Sequence, residues 1–234
     1  MRIALNRLAR LENNDMQALV SSYSPKIKLS ILHRLSYRCL FSGFLAFTGW
    51  MVPVQAQANN PHFSECISRI ELQARSEGIS DKTVHQILSK VKYIQRVIEL
   101  DRRQPEFTQT FANYFNTRIN DERVQRGREL LAKHRALLNQ IQQETGIPAQ
   151  YLVAFWGLET NYGGYFGDWS VPDSLATLAC DPRRSTFFTQ ELLNAMRILD
   201  AGDISPERMI GSWAGAMGHM QFMPSTFIRY AKDI

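Results

Sequence analysis

The chain has 234 residues, 44% of them hydrophobic and 21% charged, with 27 Lys/Arg against 22 Asp/Glu, which suits one sizeable globular domain or two small ones and excludes a disordered or collagen-like chain. A formal charge of +5 invites a nucleic-acid reading, but residues 1–58 carry seven Lys/Arg against Glu12 and Asp15 and so hold all of that excess. The remainder has 20 basic and 20 acidic side chains, so no large field drives it toward phosphate.

The basic leader has the layout of an export signal. Its positive residues precede an apolar segment, Cys39 to Val54, followed by the small-x-small cleavage pattern Ala56-Gln57-Ala58. That segment is shorter than the roughly 20 residues of a spanning helix and contains Gly43, Gly49 and Pro53, which favours cleavage over a permanent anchor. Cys39 precedes the apolar segment instead of closing it, which argues against lipidation there, and Met16 offers a later start to a long basic region. The expectation is a leader over 1–58 and an exported, periplasmic domain over 59–234. In that compartment Cys66 and Cys180 can bridge or remain separate buried thiols, and the sequence leaves both open. No Cys/His cluster has zinc spacing, so His85, His134 and His219 read as exposed or structural, and no cofactor is called for.

From Phe63 to Ser89 the pattern is helical, broken at Gly78, with Ser80-Asp81 able to cap the second helix. Lys90 to Arg103 is mixed and reads as partly extended. Pro105 opens a helix whose Phe107, Phe111, Tyr114 and Phe115 recur at spacings of four and three, a stripe expected in the core. Asn120-Asp121 starts the longest amphipathic run, to about Glu144, with Leu130, Leu138 and Ile141 inward.

Pro148 opens the next helix, apolar from Leu152 to Leu158 and stopped by Gly163-Gly164, with Glu159 the lone charge near its end. Trp156 and Phe155 lie one turn back. Apolar neighbours and the negative end of the helix dipole both raise a carboxyl's pKa, and a carboxylic acid kept protonated near neutral pH is a general acid. The competing reading is a Glu pointing to water, the usual state of an unpaired Glu. Gly163, Gly164 and Gly167 with Tyr165, Phe166 and Trp169 then form an aromatic loop. A short helix over Asp173 to Ala179 follows, then one from Arg183 to Leu199 capped by Asp181-Pro182 and ended by Gly202. Ser205-Pro206-Glu207 leads into the small-residue stretch 211–225, with one buried-looking amide, Gln221. No convincing sheet appears, so the fold class is mainly α.

An acid of this kind beside a glycine-rich aromatic cleft suits glycoside cleavage, which normally takes a second carboxylate. Asp168 and Asp173 are candidates that spacing does not separate. The sequence reaches further by resemblance. Glu159-Thr-Asn-Tyr-Gly163, Leu175-Ala-Thr-Leu178, Pro182-Arg-Arg184 with Phe187-Phe188, Gly211-Ser-Trp-Ala-Gly-Ala-Met-Gly218 and Gln221-Phe-Met-Pro-Ser225 resemble, in order, the motifs of the membrane-bound lytic transglycosylase B family. The likeness runs from about Phe63 to the end. It implies a lysozyme-like helical fold and non-hydrolytic cleavage of the bond between N-acetylmuramic acid and N-acetylglucosamine in peptidoglycan, leaving a 1,6-anhydromuramoyl end. It also implies Glu159 as the one acid and base, Ser212 and Gln221 as polar contacts to the sugar, and Arg183, Arg184 and Tyr114 along the glycan groove. The implied partner is the peptidoglycan strand, with peripheral association with the membrane or the wall machinery, and without nucleic acid.

Members of that family continue past this point, and Asp233 stands where some begin a calcium loop. The expectation is therefore that the C-terminal part of the catalytic domain is missing. The alternatives are a lysozyme-type hydrolase, a peptidoglycan-binding helical module or truncated inactive fragment without catalysis, and a structural domain in which Glu159 is incidental.

Overall fold

The computed structural model describes residues 61–103 and 110–231. The leader read over 1–58, the helix start read at Pro105 with Phe107, and Asp233 lie outside the described residues.

Helix α1, Pro61–Ser76, buries Cys66, Ile70 and Ala74 at successive turns. Gly78 then reverses the chain at φ 82, a conformation that costs glycine little. Helix α2, Asp81–Leu88, is capped as expected by Ser80, whose hydroxyl accepts from the Thr83 N–H. The stretch read as partly extended is so only briefly, because Gln95–Arg102 forms helix α3. Its two buried residues, Val97 and Asp101, stand one turn apart, so tertiary burial holds a helix that its polar composition does not announce.

Helix α4, Phe111–Arg118, starts on a Thr110 cap and buries nothing. The aromatic stripe expected in the core is on the surface, with Phe111 79%, Tyr114 41% and Phe115 48% exposed. The long run is two helices, α5 Asp121–Lys133 and α6 Arg135–Thr145. They part at His134, whose ring is buried edge-on against Trp156.

Helix α7, Ala149–Thr160, ends before the Gly163-Gly164 pair. Asn161 and Tyr162 both take left-handed backbone, at φ 50 and 59. The cause is Tyr162, which folds back into the core with 4% exposure and donates its hydroxyl to the Arg123 carbonyl at 2.7 Å. Its ring fills the space beside Gly127 and Gly157, where a Cβ would stand 2.5 and 2.6 Å from it.

Strand β1, Trp169–Ser170, pairs antiparallel with β2, Ile210–Gly211. Between them run α8, Val171–Ala179, capped by Ser170, and α9, Ser185–Asp200. Asp181 does not cap α9. It accepts the Arg183 N–H and two hydrogen bonds from the Arg102 guanidinium, and the helix starts two residues later than expected. A 3-10 turn, Pro206–Arg208, and α10, Pro224–Tyr230, complete a mainly α fold with one two-residue strand pair.

The helices gather into two apolar clusters. The larger joins α1, α2, α3, α8 and α9, with Leu175, Leu178, Leu192, Leu193 and Met196 fully buried. The Cys66–Cys180 disulfide, Cα–Cα 5.7 Å, ties α1 to the end of α8 and settles a point the sequence left open. The smaller holds Leu130, Leu138, Ala149, Val153 and Trp156 from α5, α6 and α7, with Tyr162 from the turn that follows. Segment 211–223 touches both: Met217 and Met223 pack on the larger cluster, Met220 on the smaller.

Candidate active site

Glu159 occupies the last turn of α7. Trp156, Gly157 and Thr160 form the buried side of that turn, so Glu159 is left exposed beside Phe155 and Leu158. Partial loss of water nonetheless raises its pKa, against a smaller downward pull from the Arg118 guanidinium. Both sequence readings thus hold in part: the residue is reachable from solvent, and its proton is held more tightly than an ordinary glutamate's. Arg118 is a participant that the sequence reading missed. It lies one turn after Tyr114 on α4, 5.3 Å from that ring's centroid, so Tyr114 and Glu159 share one cation.

The loop and the small-residue segment close on the same helix. Gln221, in left-handed backbone at φ 46, is half-buried and donates its amide to the carbonyls of Phe166 and Gly218, each at 3.1 Å. The Phe166 ring meets His219 edge-on with centroids 4.6 Å apart. His219 Nδ1 in turn accepts the Trp156 indole N–H at 2.9 Å. Ser212 is committed to a turn: its Oγ accepts the Ala216 N–H at 3.1 Å, while its backbone pairs with Ala216 and Gly215. Its hydroxyl proton remains available as a donor.

Arg183 and Arg184 belong to a separate constellation on the larger cluster. Both donate to Asp101 at 2.8 Å, and Arg102 reaches the same carboxylate at 2.9 Å. Asp101 is 2% exposed. Burial pushes its carboxyl up, but the hydrogen bonds from Arg184 and Arg183 outweigh that and hold it below the usual range. The guanidiniums keep 40% or more of their side-chain area exposed, and Arg184 lies over the Phe188 ring at 4.7 Å. A buried carboxylate that organises three arginines could not be found from the sequence, since two of those partners lie some eighty residues away.

Of the two candidate second carboxylates, Asp173 accepts the Lys92 N–H at 3.0 Å and Asp168 is exposed. Among the described residues no group of three or more His, Cys, Asp or Glu could hold a metal ion, and no helix is long and apolar enough to cross a membrane. Cavities of about 530 and 300 Å³ open beside Lys90 and Asp173 and beside Cys66 and Gln190; neither is lined by Glu159. What the site offers is one carboxyl able to give up and recover a proton, beside the exposed aromatic surface of Phe155 and Tyr165.

A family model described as a transglycosylase SLT domain matches residues 62–234. The chain is 31% identical over 186 residues to the membrane-bound lytic murein transglycosylase B of Escherichia coli K12, covering 75% of this chain and 51% of that protein. The crystal structure of SltB3 from Pseudomonas aeruginosa in complex with NAG-NAM-pentapeptide is similar at 40% identity and a TM-score of 0.70, over 73% of this chain and 46% of that one. The soluble lytic transglycosylase SltB1 from the same organism gives 33% identity and a TM-score of 0.65, over 74% and 58%. The chain spans about half the length of the curated relative it matches.

Proposed function

Because this chain belongs to the transglycosylase SLT domain family of lytic, peptidoglycan-degrading enzymes, we propose that Glu159 is the single acid and base of a non-hydrolytic cleavage of the β-1,4 bond between N-acetylmuramic acid and N-acetylglucosamine. The protonated carboxyl gives its proton to the glycosidic oxygen as the bond to the muramoyl anomeric carbon breaks. The resulting carboxylate then takes the proton of the muramoyl 6-hydroxyl while that oxygen bonds to the anomeric carbon. One proton leaves Glu159 and one returns, no water enters, and the product is a 1,6-anhydro sugar. The observation that carries this reading is the partly desolvated, proton-retaining carboxyl at the solvent-reachable end of α7. Arg118 suits the second half-step, since a nearby cation stabilises the carboxylate that must exist between the two transfers.

Around it Gln221 and the Ser212 hydroxyl would hold the sugar, and Tyr114 would line the groove. Arg183 and Arg184, preset by Asp101, would meet a lactyl or peptide carboxylate through their exposed edges. The ligand of the SltB3 structure, NAG-NAM-pentapeptide, supports a substrate carrying both sugar and peptide. The leader over 1–58 would export the domain over 59–234 to the periplasm, where peptidoglycan is the partner and contact with the membrane or the wall machinery is peripheral.

The test is digestion of purified peptidoglycan by the protein and by Glu159→Gln, with the muramoyl ends identified by mass. Anhydromuramoyl ends made by the parent and not by the variant are expected. Reducing ends would identify a hydrolase, and retention on peptidoglycan without cleavage a binding module; either removes the proposal.

A further inference from the structure

The turn of α7 that carries Glu159 is held from outside the helix at two points, and both belong to one residue of segment 211–223. The indole N–H of Trp156, three positions before Glu159, donates to His219 Nδ1 at 2.9 Å. The hydroxyl of Thr160, the position after it, donates to the His219 carbonyl at 2.9 Å and accepts the Gly163 N–H at 3.1 Å. Trp156 and Thr160 are 4% and 2% exposed, so an indole or hydroxyl proton left without its acceptor there would be costly. The His219 ring is wedged between Trp156, at 5.7 Å, and Phe166, at 4.6 Å, and Phe166 is itself held by Gln221.

We infer that His219 is a positioning residue for the acid: its Nδ1 lone pair and its carbonyl lock the last turn of α7, and with it the angle and depth at which Glu159 faces the groove. The role needs an imidazole with its proton on Nε2 and a free lone pair on Nδ1. Burial supplies that state by pulling the pKa of His219 down from 6.5 to about 4, which keeps the ring neutral near neutral pH. His219 acts only through Trp156 and Thr160. Small errors in the placement of a catalytic group have large consequences, with about 1 Å worth up to a hundredfold.

The inference rests on the acid/base reading of Glu159, and its test separates the two. His219→Leu removes the Nδ1 acceptor at similar size, while His219→Asn keeps an acceptor at the position of Nδ1. Two readouts are taken on the full chain: kinetics on peptidoglycan, and titration of the Glu159 carboxyl by carbon-13 NMR, assigned with Glu159→Gln. With His219→Leu, kcat should fall about tenfold or more with KM within about twofold, and the raised Glu159 pKa should drop toward the ordinary range as the carboxyl regains water. His219→Asn should restore both to near the parent values. If His219→Leu does not fold, His219→Gln, which displaces the acceptor by one methylene, takes its place with the same expectations. An unchanged Glu159 titration in the acceptor-lacking variant, or no recovery with His219→Asn, overturns the positioning role. If the parent and Glu159→Gln digest peptidoglycan alike, the functional reading fails instead, and the titration alone then decides for His219.

Discussion

The two apolar clusters are built by different means. The larger packs a nearly all-buried helix, α8, against α9, crosses to α1 through a disulfide and carries an ionic knot around Asp101. The smaller rests on a few leucines, Trp156, and a tyrosine seated on two glycines. The proposed acid, Glu159, is carried by the second. Function tends to sit on the less over-determined part of a fold, because a group that must be desolvated and yet reachable cannot also be packed for greatest stability. The comparison teaches that stability and chemistry are lodged on different helices here, so each can be damaged without the other.

The sharpest way to break that division is Glu159→Gln. Loss of general acid–base help is worth about 10²–10⁴ in rate, and with one residue serving both half-steps the loss of turnover should reach the upper end of that range or exceed it, with the far-ultraviolet circular dichroism unchanged. Residual turnover within about tenfold of the parent would move the acid elsewhere.

On the other side of the comparison stands Cys66→Ser with Cys180→Ser. The bridge spans 114 residues, and losing a native disulfide typically costs about 2–5 kcal/mol. Denaturant unfolding should show that loss, while kcat of the folded fraction stays within about twofold, since neither sulfur touches the acid. A kcat that collapsed with the disulfide would join the two regions that the structure keeps apart.

Gly157→Ala probes the seat of Tyr162. A methyl there meets the ring at 2.6 Å, and overpacking of this kind costs about 1–3 kcal/mol. Because Gly157 lies between Trp156 and Glu159, this variant should lower both stability and turnover, where the cysteine pair lowers stability alone. Equal turnover at reduced stability would show that the last turn of α7 absorbs the shift.

The smallest expected effect has the opposite sign. The folded pKa of Glu159 lies above its ordinary value of 4.5, so the folded state favours the protonated form. That contribution is complete below the unfolded value and is lost as pH rises through the folded one. Glu159→Gln, neutral at every pH, should therefore match the parent in Tm at about pH 4 and exceed it slightly at neutral pH. A variant less stable than the parent at neutral pH would mean that the carboxylate is stabilised by contacts rather than strained by its setting.

Local sequence grammar made most of the scaffold legible: the Ser80 cap, the Gly78 reversal, Pro148 before α7, and the absence of a real sheet. Glu159 was legible as a candidate, because a lone charge in an apolar helix stands out. Residues whose roles depend on distant partners were not. The aromatic stripe of α4 has the period of a core helix, and no period says whether anything covers it. Arg183 and Arg184 read as a first helical turn until Asp101 and Asp181 claim them. Gly127 and Gly157 look like helix-weakening residues until Tyr162 returns to occupy their space. His219, read as exposed or structural, shows its use only once Trp156 is placed beside it.

Segment 211–223 carries one more consequence. Met217, Met220 and Met223 alternate between the two clusters at steps of three residues, so their assignment depends on how many residues separate them more than on which side chains they carry. Methionine is a forgiving filler that leucine or another apolar residue can replace at modest cost. A single-residue insertion or deletion would instead swing every later side chain onto the wrong cluster and shift His219 and Gln221 away from α7. Drift at these three methionines is thus permitted in spelling and forbidden in length.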